Sequence, residues 1–418
     1  TLDGTLFPYT TLFRSHFTHP AAEVGVPAIR WEREKVKVGR YGRSRPGDLF
    51  DGKRVAIVGN APTALANQRN IDGFDVVVRF NRFRLGEGFE ALGTRTDVLA
   101  VPTDCSSVVA GLNGSKVGEV KWLLDVAASA GRERRANTFK LKKMFPGASV
   151  LDASWLVPHV SEQLAGGFRA TSGITALAWF LESGASTVYL TGFGFERGAR
   201  DHYFHDAEFP FNYTRHNPYV ELSWLLGRSS DSRLEVDEHI ANRLRVAREE
   251  EALAKEYKTL HTNDRSYGRG GCYMDQVVAW VKGRRLRSVL DYGCGKGGLV
   301  LSLRKLKVKV SGYDPAVAEW SVLPAVMHDG VVCLDVLEHL TEPLLREALA
   351  RINVLARRTV ILNVSTRAAV HCLPNGRNCH ETVRPATWWR NCLEEHLGRF
   401  KIAHDHDERG HYLAVLEA

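Results

Sequence analysis

Two groups of residues in this 418-residue sequence have types and spacing suited to chemistry. The first centres on His216, within His216-Asn217-Pro218-Tyr219-Val220-Glu221. Transfer to an alcohol needs a base near neutral pH, and histidine is the side chain with that pKa. Asn60 follows Gly59 at the end of the apolar run RVAIV, and Asn81 ends a second such run. An asparagine offers both an amide donor and an acceptor at such a turn. Thr171-Ser172-Gly173 opens a helix-like stretch, where free N–H groups and hydroxyls suit a phosphate. The second group is the turn Asp291-Tyr292-Gly293-Cys294-Gly295-Lys296-Gly297, with Asp314 ending the next strand about twenty residues on, placed for ribose hydroxyls. Asp335 to His339, in CLDVLEHL, completes that order.

These residues need elements to hold them. Arg54 to Val58, Asp75 to Arg79, Thr96 to Val101 and Thr187 to Thr191 read as short buried strands, and Gly173 to Ser183 reads as a helix. Strands alternating with helices imply a parallel sheet covered on both faces. A charged helical stretch follows, centred on RVAREEEALAKEYK. A second α/β pattern then begins, with strands at Ser288 to Asp291, Val308 to Tyr313, Gly330 to Leu334 and Thr359 to Asn363. The expectation is an α/β chain with two Rossmann-like domains. Residues 51–230 form the first, 231–265 a helical connector and 266–418 the second. Residues 1–50 are expected to be an extension, partly non-native or disordered, since TLDGTLFPYTTLFRS looks foreign to a fold.

In the first half, RVAIVGNAPTAL with GFEALGTRTDVL, then ATSGITALAWFLESGASTVYLTGFGF, then DHYF, then HNPYVE resemble, in order, the four motifs of glycosyltransferase family 29, the sialyltransferases. The resemblance spans roughly Asp51 to Leu226 and implies a variant of the GT-A fold with a CMP-sugar donor. It implies that Asn60, Asn81, Ser172 and Gly173 hold the CMP part and that His216 takes the acceptor proton. Glu221 would orient the region, and His202 would contact the donor phosphate. Animal members carry a pair of cysteines where this sequence has Val55 and, approximately, Ala185, so their disulfide cannot form here. That departure leaves sialic acid and Kdo both open as the transferred sugar. No D-x-D occurs in this half, which fits a donor with one phosphate and no metal clamp.

In the second half, SVLDYGCGKGGL resembles the first motif of class I methyltransferases. The resemblance implies S-adenosylmethionine as cofactor, with Gly293 and Gly295 against it and Asp291 near its amino acid part. Asp314 and Asp335 would complete the binding set. An NAD-binding domain is the rival reading. Glu338 and His339 could be metal ligands or a base, but this phrase is common in methyltransferases without such a role, and no metal is expected. Asn375 to Arg377, His380, Trp388 and Trp389 could shape an acceptor pocket.

Composition narrows the partners. The net charge is +8, yet no Lys/Arg block is interleaved with aromatics, so nucleic acid is not expected. Anionic substrates, or peripheral contact with an anionic membrane, suit the charge better. The seven cysteines include no C-x-x-C pair, which signals neither zinc nor a disulfide framework and favours a reducing cytoplasm. No run of about 18 apolar residues is free of charge, so no transmembrane helix is expected. The resulting expectation is a bifunctional enzyme of surface glycans, such as capsule or lipopolysaccharide, that adds an ulosonic acid to a glycan acceptor and methylates a sugar hydroxyl. Two alternatives stay open: a second domain that only docks the enzyme, and a small-molecule methyltransferase with a degenerate first domain.

Overall fold

The structure is a computed structural model that describes residues 48–106, 109, 112, 119–198, 213–264, 267–268 and 273–418. Its strands form two sheets. The first contains β1 (Arg54–Val58), β2 (Val76–Phe80), β3 (Val98–Val101), β4 (Trp122–Asp125), β5 (Ser149–Asp152), β6 (Thr187–Thr191) and β7 (Leu234–Val236). They run parallel in the order β5-β4-β3-β2-β1-β6-β7. Val55 and Ile57 of β1 enter one core, while Ala56 and Val58 enter the core on the opposite face. Because both faces are covered, the strands read as unbroken apolar runs.

Among the described residues, four α-helices accompany this sheet: α1 (Arg132–Met144), α2 (Leu156–Glu162), α3 (Ser172–Leu181) and α4 (Pro218–Leu226). From β1 the chain works outward through β2 to β5, then returns to β6 on the other side of β1. The crevice outside the carboxyl ends of β1 and β6 is therefore the switch point at which such sheets bind ligands.

The long helix α5 (Glu238–Asn263) comes next. Beyond it lie β8 (Ser288–Tyr292), β9 (Lys309–Tyr313), β10 (His328–Leu334), β11 (Ala356–Ser365), β12 (Lys401–Glu408) and β13 (His411–Glu417), with helices α6 (Met274–Gly283), α7 (Gly298–Arg304), α8 (Glu342–Leu355) and α9 (Ala386–His396). The order is β12-β13-β11-β10-β8-β9, parallel except for the antiparallel β11–β13 and β13–β12 pairs. Here too the chain leaves β8 for β9 on one side and β10 on the other, so β8 and β10 flank a second switch point.

The stretch expected to be a helical connector begins differently. Leu234–Val236 pairs with β6 as the edge strand β7, and the helix starts at Glu238. Asp237 caps it: Oδ1 accepts from the Ile240 N–H at 2.8 Å, and Oδ2 accepts from Thr191 Oγ1 at 2.8 Å and the Gly192 N–H at 3.2 Å. A capping carboxylate thus ties the helix start to the end of β6. Nor is α5 a spacer between independent cores. Arg243 pairs with Glu347 of α8, and Arg351 of α8 makes a bidentate pair with Glu250 at 2.7 and 3.0 Å. Both arginines are buried, and removing one partner of such a pair typically costs about 3–5 kcal/mol. Helix α4 faces both cores: Val220, Leu222 and Leu225 pack into the first, while Tyr219 packs into the second. Among the described residues, no helix is long and apolar enough to cross a membrane.

Candidate active sites

At the first switch point two glycine turns meet backbone to backbone. The Gly59 N–H donates to the Thr191 carbonyl at 2.8 Å, and the Ala61 N–H donates to the Gly192 carbonyl at 2.9 Å. A Cβ on Gly59 would lie 2.2 Å from the Gly192 oxygen, so only glycine permits this approach. Asn60, just beyond, donates through Nδ2 to the carbonyls of Phe80 at 3.2 Å and Arg82 at 3.1 Å, bracketing Asn81. Asn81 has φ +50°, a left-handed value that asparagine tolerates better than most residues, and its buried Oδ1 has no hydrogen-bond partner among the described residues. The two asparagines expected to share a crevice are therefore adjacent, with Asn60 already holding the turn that presents Asn81.

The HNPYVE segment follows simple helix chemistry. Asn217 is the cap of α4, accepting from the Tyr219 N–H at 3.0 Å, and Pro218 occupies the first turn, where it loses no bond. His216 stands just outside the cap and Glu221 lies one turn in. Glu221 is buried; its Oε1 accepts from the Thr171 N–H at 2.7 Å and its Oε2 accepts from Thr171 Oγ1 at 3.2 Å. Thr171 in turn caps α3, whose first residues are Ser172 and Gly173. Burial pushes the Glu221 carboxyl up to about 8, so it holds the start of α3 as a neutral acid at neutral pH.

His216 Nδ1 lies 2.7 Å from the Arg169 carbonyl. That carbonyl can only accept, so the proton sits on Nδ1 and Nε2 carries the lone pair. Burial, then the charges of Arg169 and Arg215, hold the His216 pKa below its usual value, which keeps the ring unprotonated at neutral pH. The Phe193 ring joins the parts of the crevice: a Cβ on Gly59 or Gly173 would strike it, and its centroid lies 6.0 Å from that of Phe80. His202 falls outside the described residues.

At the second switch point the glycine turn borders a cavity of about 730 Å³. Gly293 has φ +80° and Gly295 has φ +52°, values that favour glycine. Asp291, Gly293, Gly295, Asp314 and Asp335 all line this cavity. Asp314 also builds the turn: Oδ2 accepts from the Gly295 N–H and Oδ1 from the Ala316 N–H, each at 2.9 Å. A carboxylate has about four acceptor sites, so Asp314 retains capacity toward a ribose. Burial, and then Asp314 itself, pushes Asp291 up to about 7.

Other lining residues escape the sequence reading. Glu250, Leu253, Tyr257 and His261 recur at three- to four-residue intervals along one stripe of α5, and that stripe walls the cavity. The signal was present as helical spacing in a segment taken for a connector. Trp389 is wholly buried in the second core.

The fold and the cavity at the β8–β10 crevice define an α/β protein with a ligand-sized space at the switch point of its second half. A family model described as a methyltransferase domain matches residues 248–406, and the second half is accordingly a methyltransferase domain. No curated protein matches the chain. Among solved structures, magnesium protoporphyrin IX methyltransferase from Synechocystis PCC 6803 with bound SAM is 25% identical over 34% of this chain and 76% of its own, with a TM-score of 0.25. The 1,6-didemethyltoxoflavin-N1-methyltransferase of Burkholderia thailandensis is 15% identical over 40% of this chain and 86% of its own, with a TM-score of 0.31. The sialyltransferase CstII from Campylobacter jejuni, in complex with cytidine-5'-monophosphate, is 18% identical over 44% of this chain and 80% of its own, with a TM-score of 0.33.

Proposed function

We propose that the chain joins two transfer reactions of surface-glycan synthesis in one cytoplasmic enzyme. Its first half moves sialic acid or Kdo from a CMP donor to a glycan hydroxyl, and its second half methylates a glycan with S-adenosylmethionine. One observation supports the first reading above all. His216, with its basic nitrogen set by the Arg169 carbonyl, is held beside the start of α3, which Glu221 grips through Thr171. A candidate base is thus tied to the segment that leads into an anion-suited helix start.

In this reading Ser172, Gly173 and the N–H groups at the start of α3 receive the donor phosphate, and Asn60 and Asn81 flank the nucleotide. His216 Nε2 takes the acceptor hydroxyl proton as the oxygen attacks the anomeric carbon. The bond from that carbon to the phosphate oxygen breaks, CMP leaves with the electron pair, and the configuration inverts. Glu221 acts as a positioning residue. In the second half the glycine turn and Asp314 hold the cofactor.

The test is CMP release by the full-length protein against a panel of CMP-sugars, with and without EDTA. One CMP-ulosonic acid should be consumed, and chelator should leave the rate unchanged. Absence of turnover with every CMP-sugar, or loss in EDTA restored by Mn²⁺, overturns the reading.

A further inference from the structure

Glu338, His339 and His380 line the cavity of the second half, and one ligand atom from each lies within 4.8 Å of the other two. Glu338 is wholly buried; its Oε1 accepts from the Ser365 N–H at 2.7 Å, while its Oε2 has no hydrogen-bond partner among the described residues. A buried oxygen left in that state bears its desolvation cost uncompensated, which calls for a partner from outside the chain. Protonation does not remove the problem, because the resulting O–H would equally lack an acceptor.

The two imidazoles are set for the same task. His339 Nδ1 lies 3.0 Å from the Cys379 carbonyl, and His380 Nδ1 lies 2.5 Å from the Arg367 carbonyl. Each ring therefore carries its proton on Nδ1 and presents Nε2 unprotonated. Metal-bound histidines usually show this support, one nitrogen donating to a carbonyl while the other coordinates. The Tyr257 hydroxyl donates to the same Cys379 carbonyl at 2.8 Å and meets His339 Nδ1 at 2.9 Å, which locks that ring from α5. The two rings stand at 83° with centroids 4.7 Å apart, so their nitrogens approach from different directions.

We propose that Glu338 Oε2, His339 and His380 bind one divalent first-row transition ion, of the Mn²⁺ or Zn²⁺ class, with its remaining positions open to the cavity. Two imidazoles and a carboxylate suit such ions better than Mg²⁺ or Ca²⁺, which prefer oxygen shells. Three protein ligands with open positions is the arrangement of catalytic metal sites. The expectation of no metal considers only the LDVLEHL phrase, which is common in methyltransferases without such a role, whereas His380 reaches the other two ligands only through the fold.

The role of the ion rests on the proposed methylation of a hydroxyl; its binding does not. At an open position the ion acidifies an acceptor hydroxyl, whose proton passes to water. The oxygen then bonds to the methyl carbon, and the carbon–sulfur electron pair leaves with S-adenosylhomocysteine.

The experiment is calorimetric titration of chelator-stripped full-length protein with Mn²⁺ and, separately, Zn²⁺. Wild type should take up one equivalent of at least one of the two. Glu338→Gln keeps the shape and the acceptor for Ser365, and it should bind at least tenfold more weakly, as should His380→Gln. Melting temperatures show whether each variant is folded, and His380→Gln carries the test alone if Glu338→Gln is not. Failure of the wild type to bind either ion stoichiometrically overturns the site, as does binding unchanged in the folded variants. Stoichiometric ion binding without methylation of any glycan keeps the site and removes the glycan from the reading of the second half.

Discussion

The two switch-point crevices occupy equivalent places in their sheets and are built in opposite ways. At β1 and β6 the turns are clamped backbone to backbone, and the candidate side chains are largely spent holding other segments: Asn60 on the Phe80 and Arg82 carbonyls, Glu221 on Thr171, His216 on Arg169. At β8 and β10 the turn opens onto a cavity lined by carboxylates and histidines, with a long helix as one wall. The first crevice positions an imidazole through a backbone carbonyl. The second collects side chains from distant segments around a space. The contrast teaches that a shared topology fixes where a ligand can bind but leaves the means of holding it to local chemistry.

The sharpest way to break this comparison is at His216. His216→Ala should lower CMP-dependent transfer by about 10²–10⁴-fold, the usual worth of a positioned base. Its affinity for S-adenosylmethionine should stay at the wild-type level, measured by titration. A variant that keeps more than about a tenth of the rate removes His216 as base. Because burial and the neighbouring arginines lower its pKa, the acidic limb of the wild-type rate profile should lie below the ordinary histidine value of 6.5.

A smaller effect is expected at Asp314. Asp314→Ala deletes two acceptors that hold the glycine turn and those facing the cavity. Charge-assisted hydrogen bonds contribute about 1.5–3 kcal/mol, so cofactor affinity should fall at least tenfold. CMP release should persist in the folded variant. Unchanged cofactor affinity would mean that the turn does not hold the cofactor.

A further test separates the crevices by pH. Glu221 has its pKa raised from 4.5 to about 8 in the fold, so above pH 4.5 the unfolded chain releases a proton that the native state keeps. Stability from this group is complete below pH 4.5 and is lost as pH rises through about 8, at up to about 1.4 kcal/mol per pH unit. Glu221→Gln mimics the neutral acid and should flatten that slope in thermal melts between these limits. An equal slope in the variant would mean that Glu221 is not held neutral. Asp291 and Glu338, raised to about 7 and about 8, keep their own contributions in either protein.

Much of the architecture was legible because it is local. RVAIV and TVYLT became β1 and β6 at the expected bounds, since fully buried strands need unbroken apolar runs. Strand β5 was not read, being a short, half-exposed edge. Strand β12 carries KIAHDHDE, a polar run that becomes a strand only through its pairing with β13. The acids and glycines of the second site were legible because a nucleotide-sized turn fixes their spacing. The α5 wall, and the meeting of His380 with His339, were not, because nothing in local spacing announces contact between segments far apart in the chain.

Helix α4 also decides how this protein can be cut. The cap residue beside His216, Asn217, donates through Nδ2 to the Leu323 carbonyl of the second half at 2.8 Å, and Arg197 donates to the Ala325 carbonyl at the same distance. Tyr219, two residues on, fills the second core, and Val322 packs back on the first. A fragment ending near residue 230 would hydrate an apolar face and lose a partner for the buried Asn217 amide. A fragment beginning near residue 266 would lack both a wall of its own cavity and Glu250, one of the two carboxylates that pair with buried Arg351. The seam between the halves is thus part of both cores, and each half cut from the other should melt at a lower temperature than the whole chain.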